Sequence, residues 1–131
     1  MATWDDVRRI ASALPGLEET PGKLEWRVRN KPVIWSRPLR QADHVALGDS
    51  APGGTILGVR VTDVAEQQAL VQNGPDSVFI TPHFDGWPAV LVELDRIDPG
   101  DLEELIVDGW AVQAPKRVIK EWTAARGLEG E

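Results

Sequence analysis

The sequence contains no cysteine among its 131 residues, and its uninterrupted apolar runs are only a few residues long. The absence of cysteine excludes disulfides, thiolate zinc sites, iron–sulfur clusters and cysteine nucleophiles. No run approaches the roughly 20 apolar residues of a membrane helix. The opening stretch MATWDDVRRI places acids and bases where a signal peptide has its apolar core. We therefore expect a cytoplasmic protein with no membrane partner.

The sequence also lacks the short motifs of common enzyme classes. It has no G-x-S-x-G, no H-E-x-x-H and no glycine-rich phosphate loop. His83 and Asp85 are close enough in sequence for the acid to orient the histidine as a base, and His44 is the only other histidine. No nucleophile or metal ligand accompanies this pair. The sequence therefore favours a protein that is not an enzyme and predicts no catalytic residue and no cofactor.

What the sequence does contain is typical of one globular domain. It is 42% hydrophobic and 27% charged, and its length suffices for a single core. We expect residues 1–131 to form one domain with a frayed tail at 127–131.

Hydrophobic periodicity predicts the secondary structure. Helices are expected at 3–14, at 63–72, from Pro99 onward and at 116–126, and strands at 24–30, 33–35, 55–61, 77–81 and 88–95. Residues 38–54 are expected to be mostly loop, although HVALG (44–48) could be a strand and 55–61 could belong to the same loop excursion. The expected inward residues of the second, third and last helices are Val64, Leu70 and Val71; Leu102, Leu105, Ile106, Gly109 and Trp110; and Val118, Ile119 and Trp122.

This order, α-β-β-β-α-β-β-α-α, indicates the α+β class. Because most connections are short, the pattern predicts a two-layer sandwich in which helices cover one face of an antiparallel sheet of about five strands.

A basic segment stands out in an otherwise acidic chain. The net charge is −7, yet residues 23–40 carry +5, with Glu25 their one acid. Guanidinium and ammonium groups on a hairpin face could hold the phosphates of a duplex, since a two-stranded ribbon fits a major groove. The alternative is a solvated sheet face balanced by acids elsewhere. The candidate nucleic-acid-binding residues are Lys23, Arg27, Arg29, Lys31, Arg37 and Arg40, whereas alternation places Trp26 on the opposite, core side.

Several motifs together resemble the MmcQ/YjbR family of small bacterial proteins. They are RRIASALPGLEE (8–19), WRVRNKPVIW (26–35), the run from ITPHFDGW to IVDGW (80–110) and APK (114–116). The resemblance implies a CyaY-like or secretion-chaperone-like sheet covered by helices. It also implies DNA binding, a label that brings no motif of catalytic or base-reading residues.

A second candidate site is the loop at 82–88. If Phe84 and Trp87 are both exposed, they form an apolar patch beside His83 and Asp85 that could bind a protein or a small ligand. The acids at the start of the third long helix suit its positive end, and no histidine or cysteine accompanies them, so no metal site is expected. They are Asp98, Asp101, Glu103, Glu104 and Asp108. The sequence specifies no oligomeric state.

Overall fold

The computed structural model describes residues 2–125. The helices are α1 (Trp4–Ser12), α2 (Gln41–Leu47), α3 (Val64–Asn73), α4 (Pro99–Gln113) and α5 (Lys116–Ala125). The strands are β1 (Leu17–Glu19), β2 (Glu25–Val28), β3 (Lys31–Ser36), β4 (Ile56–Arg60), β5 (Val78–Phe79) and β6 (Ala89–Glu93). The α+β class is confirmed, with one helix and one strand more than predicted. The predicted tail at 127–131 lies outside the described residues.

The six strands form one antiparallel sheet in the order β1-β2-β3-β4-β6-β5. Strand pairing places Trp26, Ile34, Val59 and Val90 in one row across the sheet. The adjacent row consists of Glu25, Trp35, Gly58, Leu91 and Phe79. Because side chains alternate along each strand, these two rows face opposite sides of the sheet.

Helices α1 and α4 cover the first face. Trp122 of α5 packs against Trp110 of α4 and donates to the Ala13 carbonyl oxygen at the end of α1. Trp4 of α1 stacks on Trp26 of β2, with ring centroids 5.9 Å apart. The predicted buried stripe of α4 is confirmed, since all five of its residues are buried. Gly109 in that stripe allows close approach, because a Cβ there would overlap the backbone oxygen of Arg60 on β4. The larger core therefore lies on this face.

The hairpin between β2 and β3 turns two residues earlier than the predicted strand bounds, 24–30 and 33–35, imply. Its two-residue turn is Arg29–Asn30, and both residues have positive φ, at 52° and 67°. This is the geometry of a type I′ turn, which matches the right-handed twist of the strands. A bulge follows, because Trp26 pairs with Ile34 and Arg27 with Pro32, which leaves Val33 without a partner.

Two helical predictions were wrong in detail. Residues 38–54, expected to be mostly loop, contain α2 and a 3-10 turn at Gly48–Ser50. HVALG, considered as a possible strand, lies at the end of α2 and at the start of that turn. Val64 and Val71 of α3, expected to face inward, are exposed, whereas Leu70 packs against the core and Gln67 is completely buried. Hydrogen bonds of Gln67, which a hydrophobic pattern does not reveal, thus determine which side of α3 faces inward.

Candidate functional site

A groove of about 740 Å³ lies on the second face of the sheet. One side comes from β2, β3 and the segment that follows β3, and the other comes from the loop between β5 and β6. The lining residues are Glu25, Pro32, Trp35, Ser36, Arg37, Arg40, His83, Phe84, Asp85, Gly86 and Trp87. Two of the six predicted cations, Arg37 and Arg40, therefore line the same groove as all four residues predicted in the 82–88 loop.

Trp35 and Gly58 form part of the groove through a close contact between neighbouring strands. Trp35 of β3 pairs with Gly58 of β4, and a Cβ at Gly58 would overlap the Trp35 indole. The glycine thus lets the indole lie against β4. Trp35 follows Ile34 directly in the predicted strand 33–35, so alternation was a signal for its position, but Trp35 was not among the predicted site residues.

The 82–88 loop contributes an aromatic cluster. Pro82–Phe84 forms a 3-10 turn, and Phe84 packs in a small core with Ile56, Ala89 and Leu91. Trp87 is 45% exposed. Its ring centroid lies 6.1 Å from that of Phe84 and 6.1 Å from that of Trp35. The predicted patch is therefore corrected: Trp87 is exposed, whereas Phe84 is buried because it packs beneath the loop.

Gln67 of α3 holds this loop from behind. Its Nε2 donates toward the carbonyl oxygens of Phe84, Trp87 and Ala89, at 2.9, 2.6 and 2.7 Å. The side chain is fully buried. Backbone carbonyls that are shielded from water need donors, and this single amide nitrogen reaches three of them. No sequence signal identified Gln67, since its partners lie in a distant segment.

Arg37 and Asp43 fix the other side of the groove. Arg37 Nη1 donates to Asp43 Oδ2 at 3.0 Å and to the Pro38 carbonyl oxygen at 2.7 Å, and both charged side chains are more than nine-tenths buried. The guanidinium also lies 5.3 Å from the centre of the Phe84 ring. This contact joins the segment after β3 to the 82–88 loop.

Asp43 remains ionised more readily than an ordinary aspartate. Burial raises its pKa, but the backbone N–H of Arg40 and the Arg37 guanidinium outweigh this effect and lower the pKa overall. The Arg40 N–H lies 2.9 Å from Asp43 Oδ2. Asp43 therefore compensates the buried charge of Arg37 and caps the start of α2.

The six predicted cations do not form one continuous face. Arg27 forms an ion pair with Glu25 and donates to the Asn30 carbonyl oxygen at 2.9 Å, and Arg37 is buried in its pair with Asp43. Lys23, Arg29, Lys31 and Arg40 are exposed. Within residues 2–125, none of these four has an ion-pair partner. The predicted core position of Trp26 is confirmed.

The predicted pairing of His83 with Asp85 is not formed. Both side chains are exposed, and no hydrogen bond or ion pair joins these two described residues. His83 instead places its ring edge-to-face against Phe84, with centroids 5.0 Å apart. His83 therefore contributes an aromatic edge to the groove and Asp85 an exposed carboxylate.

The acids of α4 have structural surroundings. Asp98 accepts a hydrogen bond from the Gly100 N–H at 2.9 Å and so caps the helix. Burial raises the pKa of Asp108, and the carboxylates of Glu66 and Glu104 raise it further. Among residues 2–125, no group of three or more acids and histidines is arranged to hold a metal ion.

Comparison with known proteins identifies the family. Residues 12–112 match the YjbR family. The chain belongs to the YjbR family. Uncharacterized protein Mb2600 of Mycobacterium bovis and Uncharacterized protein Rv2570 of Mycobacterium tuberculosis are each 49% identical to this YjbR protein over 130 residues. Each alignment covers 97% of this chain and 100% of the relative. No solved structure matches the YjbR chain described here. No helix within its described residues is long and apolar enough to cross a membrane.

Proposed function

We propose that this YjbR protein is a binding protein whose groove takes a planar organic ligand. The observation that carries the proposal is the meeting of Trp35 and Trp87, from distant parts of the chain, at 6.1 Å in one groove. Aromatic walls with a few polar groups are typical of small-molecule sites, and the volume of about 740 Å³ lies within their usual range.

Internal contacts hold both sides of the groove in place. Gln67 ties down the loop that carries Trp87, and the Arg37–Asp43 pair fixes the segment that follows Trp35. A site whose walls are already ordered loses little conformational entropy when a ligand binds. An exposed tryptophan in such a setting is a common anchor of binding energy.

The test uses the fluorescent, uncharged probe N-phenyl-1-naphthylamine. Titration should show saturable binding to the wild-type protein, and Trp87→Ala should raise the Kd about tenfold because an aromatic wall is lost. Val45→Ala is the matched control, since Val45 is 77% exposed on α2 and does not line the groove. Absence of binding, or equal binding by Trp87→Ala, would contradict the proposal.

The tip of the β2–β3 hairpin favours DNA binding as a second candidate function. Arg29 and Lys31 flank Asn30 there, both exposed and without an ion pair among the described residues. Such cations could contact phosphates of a duplex. Arg27 and Arg37 already pair with Glu25 and Asp43, so fewer of the predicted cations are available for such contacts. The remaining free cations of that segment are Lys23 and Arg40.

Fluorescence anisotropy with a labelled DNA duplex at two salt concentrations tests this candidate. Binding should weaken steeply with salt and be lost when Arg29 and Lys31 are both changed to Glu, because phosphate contacts release counterions. Trp87→Ala should leave it unchanged. Salt-independent binding, or binding that survives the double substitution, would refute phosphate contact at the hairpin tip.

A further inference from the structure

We infer that the ligand of the groove carries an oxyanion, a carboxylate or phosphate, which binds the free edge of Arg37 with Arg40 beside it. This inference rests on the proposed function. It adds the chemical class of the ligand: a planar ring system for the tryptophans and an anionic group for the two arginines.

Arg37 uses only one of its three nitrogens internally. Nη1 donates to Asp43 and to the Pro38 carbonyl oxygen, whereas Nε and Nη2 make no hydrogen bond with any described residue. The side chain is 93% buried and lines the groove. Among the described residues, only Gln67 Oε1 and Thr81 Oγ1 are buried polar side-chain atoms without a hydrogen-bond partner. Nε and Nη2 of Arg37 have no partner and are not in this group, so they keep contact with solvent. We take these accessible N–H groups to face the groove that Arg37 lines.

The unused Nε–H and Nη2–H groups have a defined chemical preference. They lie parallel on one edge of the planar guanidinium and match the two oxygens of a carboxylate or phosphate. The contacts of Nη1 and the neighbouring Phe84 ring hold this edge in one orientation. An oxyanion at this edge would complete the hydrogen bonding of a buried arginine, which otherwise depends on water.

Arg40 supplies the uncompensated positive charge. Its backbone N–H binds Asp43, but its side chain is exposed, lines the groove and has no ion pair within residues 2–125. Glu25 and Asp85 line the groove, and Asp43 contacts Arg37. Arg27 pairs with Glu25 and Arg37 pairs with Asp43, whereas Asp85 is exposed and has no ion pair within residues 2–125. The Arg37 edge and Arg40 therefore favour an anion, and Asp85 opposes it.

A matched pair of probes separates charge from ring binding. The anionic probe 8-anilinonaphthalene-1-sulfonate differs from N-phenyl-1-naphthylamine by its sulfonate group alone. We expect the sulfonate to lower the Kd of the wild-type protein about tenfold, as charge-assisted hydrogen bonds do. Arg37→Lys keeps a cation beside Asp43 but removes the two parallel N–H groups. Arg40→Gln removes a charge that has no ion pair within residues 2–125.

Either substitution should bring the Kd values of the two probes together, whatever its effect on the Kd of the neutral probe. If Arg37→Lys fails to fold, Arg40→Gln tests the inference alone. Lys31→Gln removes an exposed charge outside the groove and should change neither Kd. Asp85→Asn should lower the Kd of the anionic probe severalfold because it removes a negative charge that repels the sulfonate.

Competition distinguishes the two oxyanion sources. We expect 1-naphthoate or 1-naphthyl phosphate to displace the anionic probe at lower concentration than 1-naphthol does. The stronger of these two anionic competitors shows whether the groove prefers a carboxylate or a phosphate. Equal displacement by all three would overturn the inference. Equal Kd values for the two probes, both raised by Trp87→Ala, would overturn it while supporting the proposed function. Binding of neither probe would overturn both.

Discussion

The side-chain nitrogen of Gln67 donates to the carbonyl oxygen of Phe84 at 2.9 Å and so joins α3 to the loop that forms one side of the groove. The same nitrogen reaches the carbonyl oxygens of Trp87 and Ala89. The Gln67 amide oxygen is buried and has no hydrogen-bond partner among the described residues. The Gln67 side chain therefore acts through its N–H donors, which hold the backbone between Phe84 and Ala89 in place.

Gln67→Met should lower the free energy of unfolding by about 2 kcal/mol or more, because buried carbonyls lose their donor while the side-chain volume is kept. It should also weaken binding of N-phenyl-1-naphthylamine, since Trp87 would no longer be held. Urea denaturation and probe titration measure the two effects. Gln72→Met, an exposed position on the same helix, is the control. Equal stabilities of the two variants would show that the Gln67 contacts contribute little.

Asp43→Asn should lower the free energy of unfolding at pH 7 by about 2 kcal/mol, because Arg37 would keep a buried charge without its counterion. The pKa of Asp43 is lowered in the folded state. The ionised carboxylate therefore stabilises the fold at pH values above its unfolded-state pKa, and this contribution is lost as pH falls through the folded-state pKa.

The difference between wild type and Asp43→Asn should accordingly be constant from pH 7 to about pH 5 and shrink below about pH 4. Urea denaturation over this range measures it. Asp49→Asn, at an exposed aspartate beyond α2, should show no such difference. A difference that grows as the pH falls would contradict the assigned role of Asp43.

Gly58→Ala should disturb the groove and lower the free energy of unfolding by about 1–3 kcal/mol, since the new methyl group overlaps the Trp35 indole. The near-ultraviolet circular dichroism should change because Trp35 must move. Gly53→Ala is the matched control, as a Cβ there meets nothing within 4 Å. An unchanged spectrum and stability for Gly58→Ala would mean that Trp35 does not lie against β4.

Asn30→Gly should raise the free energy of unfolding by up to about 1 kcal/mol, because Asn30 has a φ of 67° and glycine adopts positive φ without steric cost. Asn30→Ala should lower it, since alanine disfavours this conformation. Thermal denaturation of both variants gives the comparison. Changes of the same sign would rule out backbone conformation as the reason for asparagine at this turn.

Much of the fold follows from local sequence patterns. The stripe from Leu102 to Trp110 is buried as predicted because α4 is long and packs directly on the sheet. The short β1 was missed because three residues carry too little periodicity. The end of α2 was taken for a possible strand because the helix spans only seven residues and the apolar stretch within it is brief.

The groove was predictable only in parts. Arg37, Arg40 and the 82–88 loop were each identified as candidates, but in separate sites, since no local pattern indicates that these segments meet. Gly58 and Gln67 contribute through partners on another strand or far away in sequence, whereas Asp43 pairs with Arg37 six residues earlier, a contact that only the folded side chains reveal. Their roles depend on strand order and on side-chain geometry, which periodicity does not encode.

The most direct test of ligand binding in the groove is a two-dimensional ¹H–¹⁵N NMR titration with 8-anilinonaphthalene-1-sulfonate, read at the indole N–H signals of the six tryptophans. Binding in the groove should shift the signals of Trp35 and Trp87. The signals of the four tryptophans outside it, Trp4, Trp26, Trp110 and Trp122, should remain unchanged. Shifts confined to those four, or no saturable shift at Trp35 and Trp87, would contradict the proposal that the groove is the binding site.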